Sequence, residues 1–288
     1  MTELKRYYAP TSLDQAVECL KGGNVTILAG GTDLTPQSQA GRIKFRETLM
    51  NIRHIPQMSG ITLEGKEIRI GALATITEIM EHPLVREHLP ALVEACDHFA
   101  SDQIRNAGTI GGNICNASPA GDTLVPLLVL DACVELASMP ETKLYRHCMP
   151  ISTFFTGPGK TRKSLCELVT GVRIPVPAAS HVSRFYKHGT RPALDISTIS
   201  IGVAGNLKDG VLQNVRVAFG AVAPTPLRAT ATESALEGRH LDAATIEAAA
   251  VAARDEVNPI DDVRATAWYR KEMIHNMTKR MLENVAQA

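Results

Sequence analysis

The first fifty residues combine one helical hydrophobic pattern with two extended ones. Apolar residues recur at helical spacing between residues 11 and 20, and Ser12 is a suitable N-cap, so a helix is predicted there. Segment 24–29 (NVTILA) is β-branched and apolar and predicts a strand, as does segment 48–52 (TLMNI). These three elements indicate a small β-α-β-like unit.

The central part of the chain mixes extended and helical patterns. Two short extended segments, 61–63 and 67–71, flank Gly65 and predict a hairpin. The other elements predicted here are helices at 77–80 and 90–100, a helix or strand at 123–130, and strands at 132–136 and 167–174. This order of elements indicates a second α/β unit.

The two prolines within segment 175–179 mark the best domain boundary. Strands are predicted after it at 183–188, 196–207 and 212–223, and helices at 229–236, 243–255 and 267–286. An antiparallel sheet followed by helices is an α+β arrangement. We therefore predict an α/β subdomain at residues 1–55, a second α/β subdomain at 56–176 and an α+β domain at 177–288.

Charge and hydropathy exclude some functional classes. The 288 residues include 30 basic and 30 acidic side chains, and this balance argues against a protein that binds nucleic-acid phosphates. The longest apolar run, residues 124–136, is too short to span a membrane and contains Pro126, Asp131 and Glu135. The N-terminus has no apolar signal region, so a cytoplasmic location is expected.

The six cysteines form no CxxC pair and match neither a zinc site nor an iron–sulfur ligand set. They are therefore expected to be buried free thiols, as is usual for cytosolic proteins. Cys115 is the exception to note, because it lies inside a glycine-rich run.

Two glycine-rich segments carry the candidate chemistry. The first, Gly30-Gly31-Thr32-Asp33, directly follows a predicted strand, and a helix is expected to follow it. The second lies within residues 99–122 (FASDQIRNAGTIGGNICNASPAGD), where Gly108, Gly111 and Gly112 are interleaved with polar residues. Neither a GxGxxG nor a GxxxxGK[ST] motif is present, so this is neither an ordinary Rossmann domain nor a P-loop enzyme. Together the two turns are predicted to grip one large cofactor.

Segments 27–34 (ILAGGTDL) and 109–113 (TIGGN) resemble the two signature motifs of the FAD-binding subunit of molybdenum hydroxylases, the family of xanthine dehydrogenase and carbon monoxide dehydrogenase. The resemblance extends almost end to end and includes segments 103–106 (QIRN), 156–160 (TGPGK), 195–197 (DIS) and 223–228 (APTPLR). These are most similar to the separate FAD subunit of bacterial xanthine dehydrogenases. The implied fold is α+β: a two-subdomain FAD-binding fold of the PCMH or vanillyl-alcohol-oxidase type, followed by an antiparallel sheet and three helices.

The resemblance also implies a set of FAD-binding residues, with no catalytic residue and no metal ligand in this chain. The first motif would wrap the pyrophosphate with Ile27, Leu28, Ala29, Gly30, Gly31, Thr32, Asp33 and Leu34. The second would continue the pyrophosphate and ribityl contacts with Thr109, Ile110, Gly111, Gly112 and Asn113. Two phosphates require backbone N–H donors with no side chain in the way, which is the physical reason for both glycine pairs.

Five further residues match family positions near the cofactor. The resemblance places Phe99 and Ala100 beside the isoalloxazine, Asp122 at sugar hydroxyls and the Val169 backbone near the flavin or adenine. Lys187 would lie close to the flavin, where a cation stabilises the reduced form and raises its potential. From the residues alone, Phe99 could be a core residue and Lys187 a solvated lysine at a strand end. The loop at 188–195 would control access of an electron acceptor.

The implied function is electron relay within a heterotrimer. Electrons would pass from [2Fe–2S] clusters of a small partner subunit to FAD and then to NAD+, while a large molybdopterin-binding subunit oxidises a purine such as xanthine. Another N-heterocycle, an aldehyde or carbon monoxide is the alternative substrate. Two other functional hypotheses remain: a stand-alone flavin oxidase of the wider fold, and a flavin-free interaction protein that has kept the fold.

Overall fold

The N-terminal part of the chain is a small parallel sheet with two helices. The computed structural model describes residues 4–191 and 194–287. Its first elements are β1 (Arg6–Tyr8), α1 (Leu13–Lys21), β2 (Val25–Leu28), α2 (Leu34–Gln39) and β3 (Thr48–Asn51). The strands pair in the order β1-β3-β2, all parallel. Helix α1 begins as predicted, because the Ser12 hydroxyl accepts the Gln15 N–H at 3.3 Å.

The central part is built on a five-stranded antiparallel sheet in the order β4-β5-β10-β6-β7. A 3₁₀ turn at Pro56–Met58 leads into it. The strands and helices are β4 (Ile61–Glu64), β5 (Glu67–Gly71), α3 (Ile76–Glu81), α4 (Pro83–His88), α5 (Pro90–Asp97), α6 (Asp102–Arg105), α7 (Ile110–Asn116), α8 (Leu124–Val129), β6 (Cys133–Ser138), β7 (Tyr145–Pro150), α9 (Ile151–Phe154), β8 (Phe155–Gly157), β9 (Lys160–Thr161) and β10 (Leu168–Pro175). Strands β8 and β9 pair separately.

The C-terminal part is an antiparallel sheet covered by helices. Strands β11 (His181–His188), β12 (Ile199–Lys208), β13 (Val211–Gly220) and β14 (Leu227–Arg228) pair in chain order, and β15 (Arg239–His240) joins β13. The helices are α10 (Thr230–Leu236), α11 (Ala243–Glu256) and α12 (Ala267–Ala286). The predicted antiparallel sheet and the three helices are thus confirmed.

Two hydrophobic clusters hold these parts together. The first joins the N-terminal and central parts in one core, from Leu13 to Ile174, and also includes Phe185, Ala204 and Ala218 of the C-terminal sheet. The second lies between the C-terminal sheet and α10–α12. Helix α8 belongs to the first cluster: all six of its residues are buried, and a Cβ at Gly202, on the face of β12 opposite the second cluster, would press on Val125 and Val129. A short helix that is apolar on every side is expected where a helix lies between two sheets.

One face of the central sheet carries a buried charge network. Glu135 on β6 accepts hydrogen bonds from Arg69 Nη2 at 3.0 Å, from Arg173 Nε at 3.0 Å and from Thr170 Oγ1 at 2.7 Å. Burial alone would raise the pKa of Glu135, but these donors and charges lower it to about 2. The network therefore joins three neighbouring strands, β5, β10 and β6, across their polar face.

The structure corrects two expectations. Cys133 and Cys148 are not free thiols: they lie on paired strands with Cα atoms 5.7 Å apart and form a disulfide, while Cys115 and Cys166 are exposed. The strand Tyr145–Pro150 was not predicted, because its polar residues hide the alternation expected of a strand. Among the described residues, no helix has the length and apolar character required to cross a membrane.

Candidate functional site

The first glycine segment presents unused backbone donors. It links the end of β2 to the start of α2, and Gly31 has a φ of +75°, which favours glycine. Within the described chain, none of the N–H groups from Gly30 to Leu34 has a hydrogen-bond acceptor. Asp33 precedes α2 without capping it through its side chain. Successive backbone N–H groups without an acceptor are the kind of donor that binds phosphate oxygens.

The two glycine segments touch each other. A Cβ atom at residue 30 would overlap the carbonyl oxygen of Ala107 and lie 2.8 Å from its carbonyl carbon. A Cβ at Gly108 would in turn lie 3.4 Å from Thr32 Oγ1. One turn further on, Gln37 Nε2 donates to Asn116 Oδ1 at 3.2 Å. The sequence prediction that both segments serve one site therefore agrees with their direct contact.

The second glycine segment is the first turn of a helix, not a loop turn as the sequence suggested. Thr109 caps α7 by accepting the Gly112 N–H at 3.1 Å. The N–H groups of Ile110 and Gly111 donate to the carbonyls of Ala74 and Ala72 at 3.1 and 2.9 Å. The Asn113 N–H donates to Thr109 O at 3.0 Å. Because these N–H groups already donate to acceptors within the protein, the second segment can give a ligand contact surface but no free N–H donors.

Two of the predicted site residues, Lys187 and Asp122, form a buried ion pair. Lys187 on β11 donates from Nζ to Asp122 Oδ2 at 2.7 Å and to the His98 carbonyl at 3.1 Å. Ser197 Oγ donates to Asp122 Oδ1 at 2.9 Å. Burial raises the pKa of Asp122, while Lys187 and Ser197 act in the opposite direction. Lys187 is thus not a solvated lysine.

Phe99 and Ala100 directly follow His98, whose carbonyl accepts the Lys187 hydrogen bond, whereas Val169 lies on β10. Phe99 is half-buried against the first hydrophobic cluster, and its carbonyl accepts Arg105 Nη1 at 3.0 Å. Ala100 adopts a left-handed φ of +39°, which is unusual for alanine and occurs often at functional sites. Val169 is buried at a β-bulge between β10 and β6. That each of these residues binds a cofactor stays a prediction.

The loop after Lys187 is folded around one carboxylate. Asp195 accepts hydrogen bonds from Thr190, from the Arg191 N–H at 3.2 Å and from the Ile196 N–H at 2.8 Å. These bonds lower the pKa of Asp195. Residues 192 and 193 of the predicted access loop lie outside the described residues. Leu194 and Ile196 are exposed.

Sequence reasoning missed several contributors to this arrangement. Ala72 and Ala74 contribute only their backbone carbonyls as acceptors, so no pattern of side chains in the sequence could identify them. Ser197 was noted only within the DIS segment, without a role, and His98 acts through its backbone. These contacts join residues far apart along the chain, which periodicity does not reveal.

Two family models match this chain in succession. Residues 2–177 match the family model of the FAD binding domain in molybdopterin dehydrogenase, and residues 184–285 match the CO dehydrogenase flavoprotein C-terminal domain. The xanthine dehydrogenase FAD-binding subunit of Escherichia coli O157:H7 is 33% identical over 100% of this chain and 98% of its own length. The nicotinate dehydrogenase FAD-subunit of Eubacterium barkeri is 34% identical, covering 97% and 95%.

A solved structure has the same fold. It is a carbon monoxide dehydrogenase from Hydrogenophaga pseudoflava that lacks the Mo-pyranopterin moiety of its cofactor. The TM-score is 0.91 at 32% identity, with 97% of this chain and 96% of the matched chain covered. The predicted fold class is confirmed by this similarity.

Proposed function

The chain belongs to the FAD-binding subunits of the molybdenum hydroxylases, and we propose that it relays electrons from [2Fe–2S] clusters of a partner subunit through FAD to NAD+. The observation that carries the proposal is the run of N–H groups without an acceptor from Gly30 to Leu34, in direct contact with the second glycine segment. An electron-transfer subunit must hold its flavin firmly, and backbone donors suited to the cofactor's phosphates support that role.

The residues present fit FAD. The N–H groups of segment 30–34, which have no acceptor in the described chain, suit a pyrophosphate, and the partly buried apolar residues Ile27, Leu28 and Ala29 directly precede them. In this proposal the N–H groups of segment 30–34 bind the phosphates, and residues 109–113 form one wall of the FAD site. Phe99, Ala100, Val169 and Lys187 border the flavin. FAD, when bound, supplies the redox chemistry: it accepts electrons and returns them to an acceptor.

The reaction upstream is proposed from similarity alone. A purine such as xanthine is the first candidate, supported by 33% identity to the Escherichia coli subunit over the whole chain. Nicotinate, another N-heterocycle, is the second, supported by 34% identity to the Eubacterium barkeri subunit. Both relatives are named as subunits, which supports assembly with a large molybdopterin-binding chain and a small [2Fe–2S] chain.

Reduction by NADH tests the acceptor. In an anaerobic titration of the FAD-loaded chain, we expect NADH to bleach the flavin absorbance, because hydride transfer to NAD+ is reversible. Dithionite is the positive control, because it reduces any bound flavin. Bleaching by dithionite but not by NADH would contradict NAD+ as the acceptor and leave the FAD assignment intact.

Purification from the native host tests the assembly. A tagged chain is expected to retain two partners, one with molybdopterin and one with [2Fe–2S] clusters. The complex is then assayed with xanthine and with nicotinate as substrates. A tagged chain that purifies alone and oxidises either substrate by itself would contradict the subunit role.

A further inference from the structure

Strand β10 carries one extra residue, Thr170, where it passes between β5 and β6. Its neighbours Val169 and Gly171 pair with two consecutive residues of β6, so Thr170 is the extra residue of a β-bulge. The Thr170 carbonyl accepts the Ala72 N–H at 3.0 Å. The bulge therefore connects β10 to the residues that follow β5.

Residues 71–74, the support segment, hold the start of α7. All four of their N–H groups donate to backbone carbonyls, those of Gly60, Thr170, Met58 and Gly71. Two of their own carbonyls, at residues 72 and 74, accept the N–H groups of Gly111 and Ile110 at 2.9 and 3.1 Å. A Cβ at Gly111 would lie 2.7 Å from the Ala72 carbonyl oxygen, so the two backbones are in direct contact. A shift of the support segment would therefore move the second glycine segment with it.

The Arg69 side chain braces both supports of the support segment. Its Nη2 atom donates to the Thr170 carbonyl at 3.3 Å and to the Gln57 carbonyl at 3.1 Å. Gln57 directly precedes Met58, whose carbonyl accepts the N–H of residue 73 at 2.8 Å. One guanidinium thus ties together the two backbone stretches that fix the support segment.

Glu135 holds this guanidinium in place. Its carboxylate accepts Arg69 Nη2 at 3.0 Å and Arg69 Nε at 3.3 Å, and it also accepts the Thr170 hydroxyl at 2.7 Å. The side chains of Arg69 and Glu135 are only 11% and 6% exposed, so little water competes for these bonds. The bulge residue is therefore held twice, by Arg69 through its carbonyl and by Glu135 through its hydroxyl.

We propose that Arg69, held by Glu135, is a positioning residue for the cofactor site: through the bulge at Thr170 and the support segment, it sets where the second glycine segment lies. This inference rests on the proposed function, since it takes residues 109–113 to form one wall of the FAD site. The effect passes through backbone carbonyls. It therefore requires the forked guanidinium and not merely a positive charge.

Arg69→Lys separates the shape of the side chain from its charge. Lysine keeps a cation beside Glu135 but lacks the planar fork that reaches a carboxylate and two carbonyls together. We expect the affinity for FAD, measured by titration of the apo-protein, to fall at least tenfold, about 1.4 kcal/mol.

Arg173→Lys is the matched control. Arg173 donates from Nε to the same Glu135 carboxylate at 3.0 Å, and its other partners in the described chain are the carboxylates of Glu64 and Glu67. It makes no listed bond to the bulge backbone, so its FAD affinity is expected to stay within about twofold of wild type. Equal losses of FAD affinity in Arg69→Lys and Arg173→Lys would overturn the inference.

Amide hydrogen exchange of the cofactor-free chain separates positioning from a general loss of stability. In Arg69→Lys we expect exchange at Ile110 and Gly111 to accelerate at least about tenfold more than exchange at the paired amides of β12. A purely structural role for Arg69 would accelerate both sets of amides alike, and that result would contradict the proposal.

Thr170→Val keeps the experiment decisive if Arg69→Lys does not fold. It preserves a β-branched side chain and removes the hydroxyl that donates to Glu135. FAD affinity is expected to fall about threefold, with faster exchange at Ile110 and Gly111 than at β12. Wild-type affinity and exchange in whichever variant folds would overturn the inference. A wild-type chain that takes up no FAD would instead refute the proposed function, while the exchange comparison would still decide the role of Arg69.

Discussion

Replacing Gly30 by alanine will weaken FAD binding at least a hundredfold, about 2.7 kcal/mol. The added Cβ would overlap the Ala107 carbonyl oxygen and lie 3.2 Å from Gly108 Cα, and all of these neighbours are backbone atoms. Backbone cannot move aside as a flexible side chain can, so the two glycine segments must separate. Titration of apo-protein with FAD, followed by flavin fluorescence, measures the effect.

Gly22→Ala is the matched control in the same part of the chain. Gly22 has a φ of −67°, and a Cβ there would meet only the Cys19 carbonyl oxygen at an ordinary 3.6 Å. Its FAD affinity is expected to stay within about twofold of wild type, roughly 0.4 kcal/mol. Wild-type affinity in Gly30→Ala would show that contact between the two segments does not shape the site.

Replacing Glu135 by glutamine is expected to cost about 3 kcal/mol of unfolding free energy at neutral pH, because it leaves Arg69 and Arg173 without their shared carboxylate. The pKa of Glu135 is lowered from 4.5 to about 2 by folding. A lowered carboxyl pKa stabilises the fold above the unfolded-state value. That stabilisation is lost as the pH falls from 4.5 towards 2.

Urea denaturation across this pH range measures the difference between wild type and Glu135→Gln. The difference should be largest at neutral pH and shrink steadily below pH 4.5. Glu47→Gln is the control, because Glu47 pairs with Lys5 at the surface and should cause a much smaller change. A difference for Glu135→Gln that is independent of pH would contradict the assignment of the network.

Elements with a strong local signal were predictable from the sequence. Helix α1 has both a Ser12 cap and a complete apolar face, and it forms almost where the pattern places it. The hairpin β4–β5 and the C-terminal strands were likewise predictable from their local sequence patterns. The density of glycines and polar residues predicted a site for one large cofactor, and only the family resemblance indicated that this cofactor is FAD.

Helix α7 shows where local reasoning ends. Its first turn contains Gly111 and Gly112, which disfavour helix, so a loop was the natural expectation. The helix forms because Thr109 caps it and the carbonyls of Ala72 and Ala74 accept its first N–H groups. Gly111 is required there for packing, since a Cβ would lie 2.7 Å from the Ala72 carbonyl oxygen. Only the tertiary fold supplies these partners.

The Lys187–Asp122 pair likewise could not be predicted from local sequence patterns. Each residue was identified separately by resemblance, and nothing in the sequence indicated that they bond to each other across 65 positions. The same holds for Cys133 and Cys148, whose pairing depends on the register of β6 and β7. Side-chain pairs between distant elements follow from sheet order, which the sequence pattern did not fix.

Amide hydrogen exchange with and without FAD tests the central claim, that segment 30–34 supplies the donors for the cofactor's phosphates. The N–H groups of this segment have no acceptor in the described chain, whereas those of residues 110–113 are already bonded. We therefore predict that FAD slows exchange strongly at residues 30–34 and little at residues 110–113. Unchanged exchange at residues 30–34 in a chain with bound FAD would contradict the account.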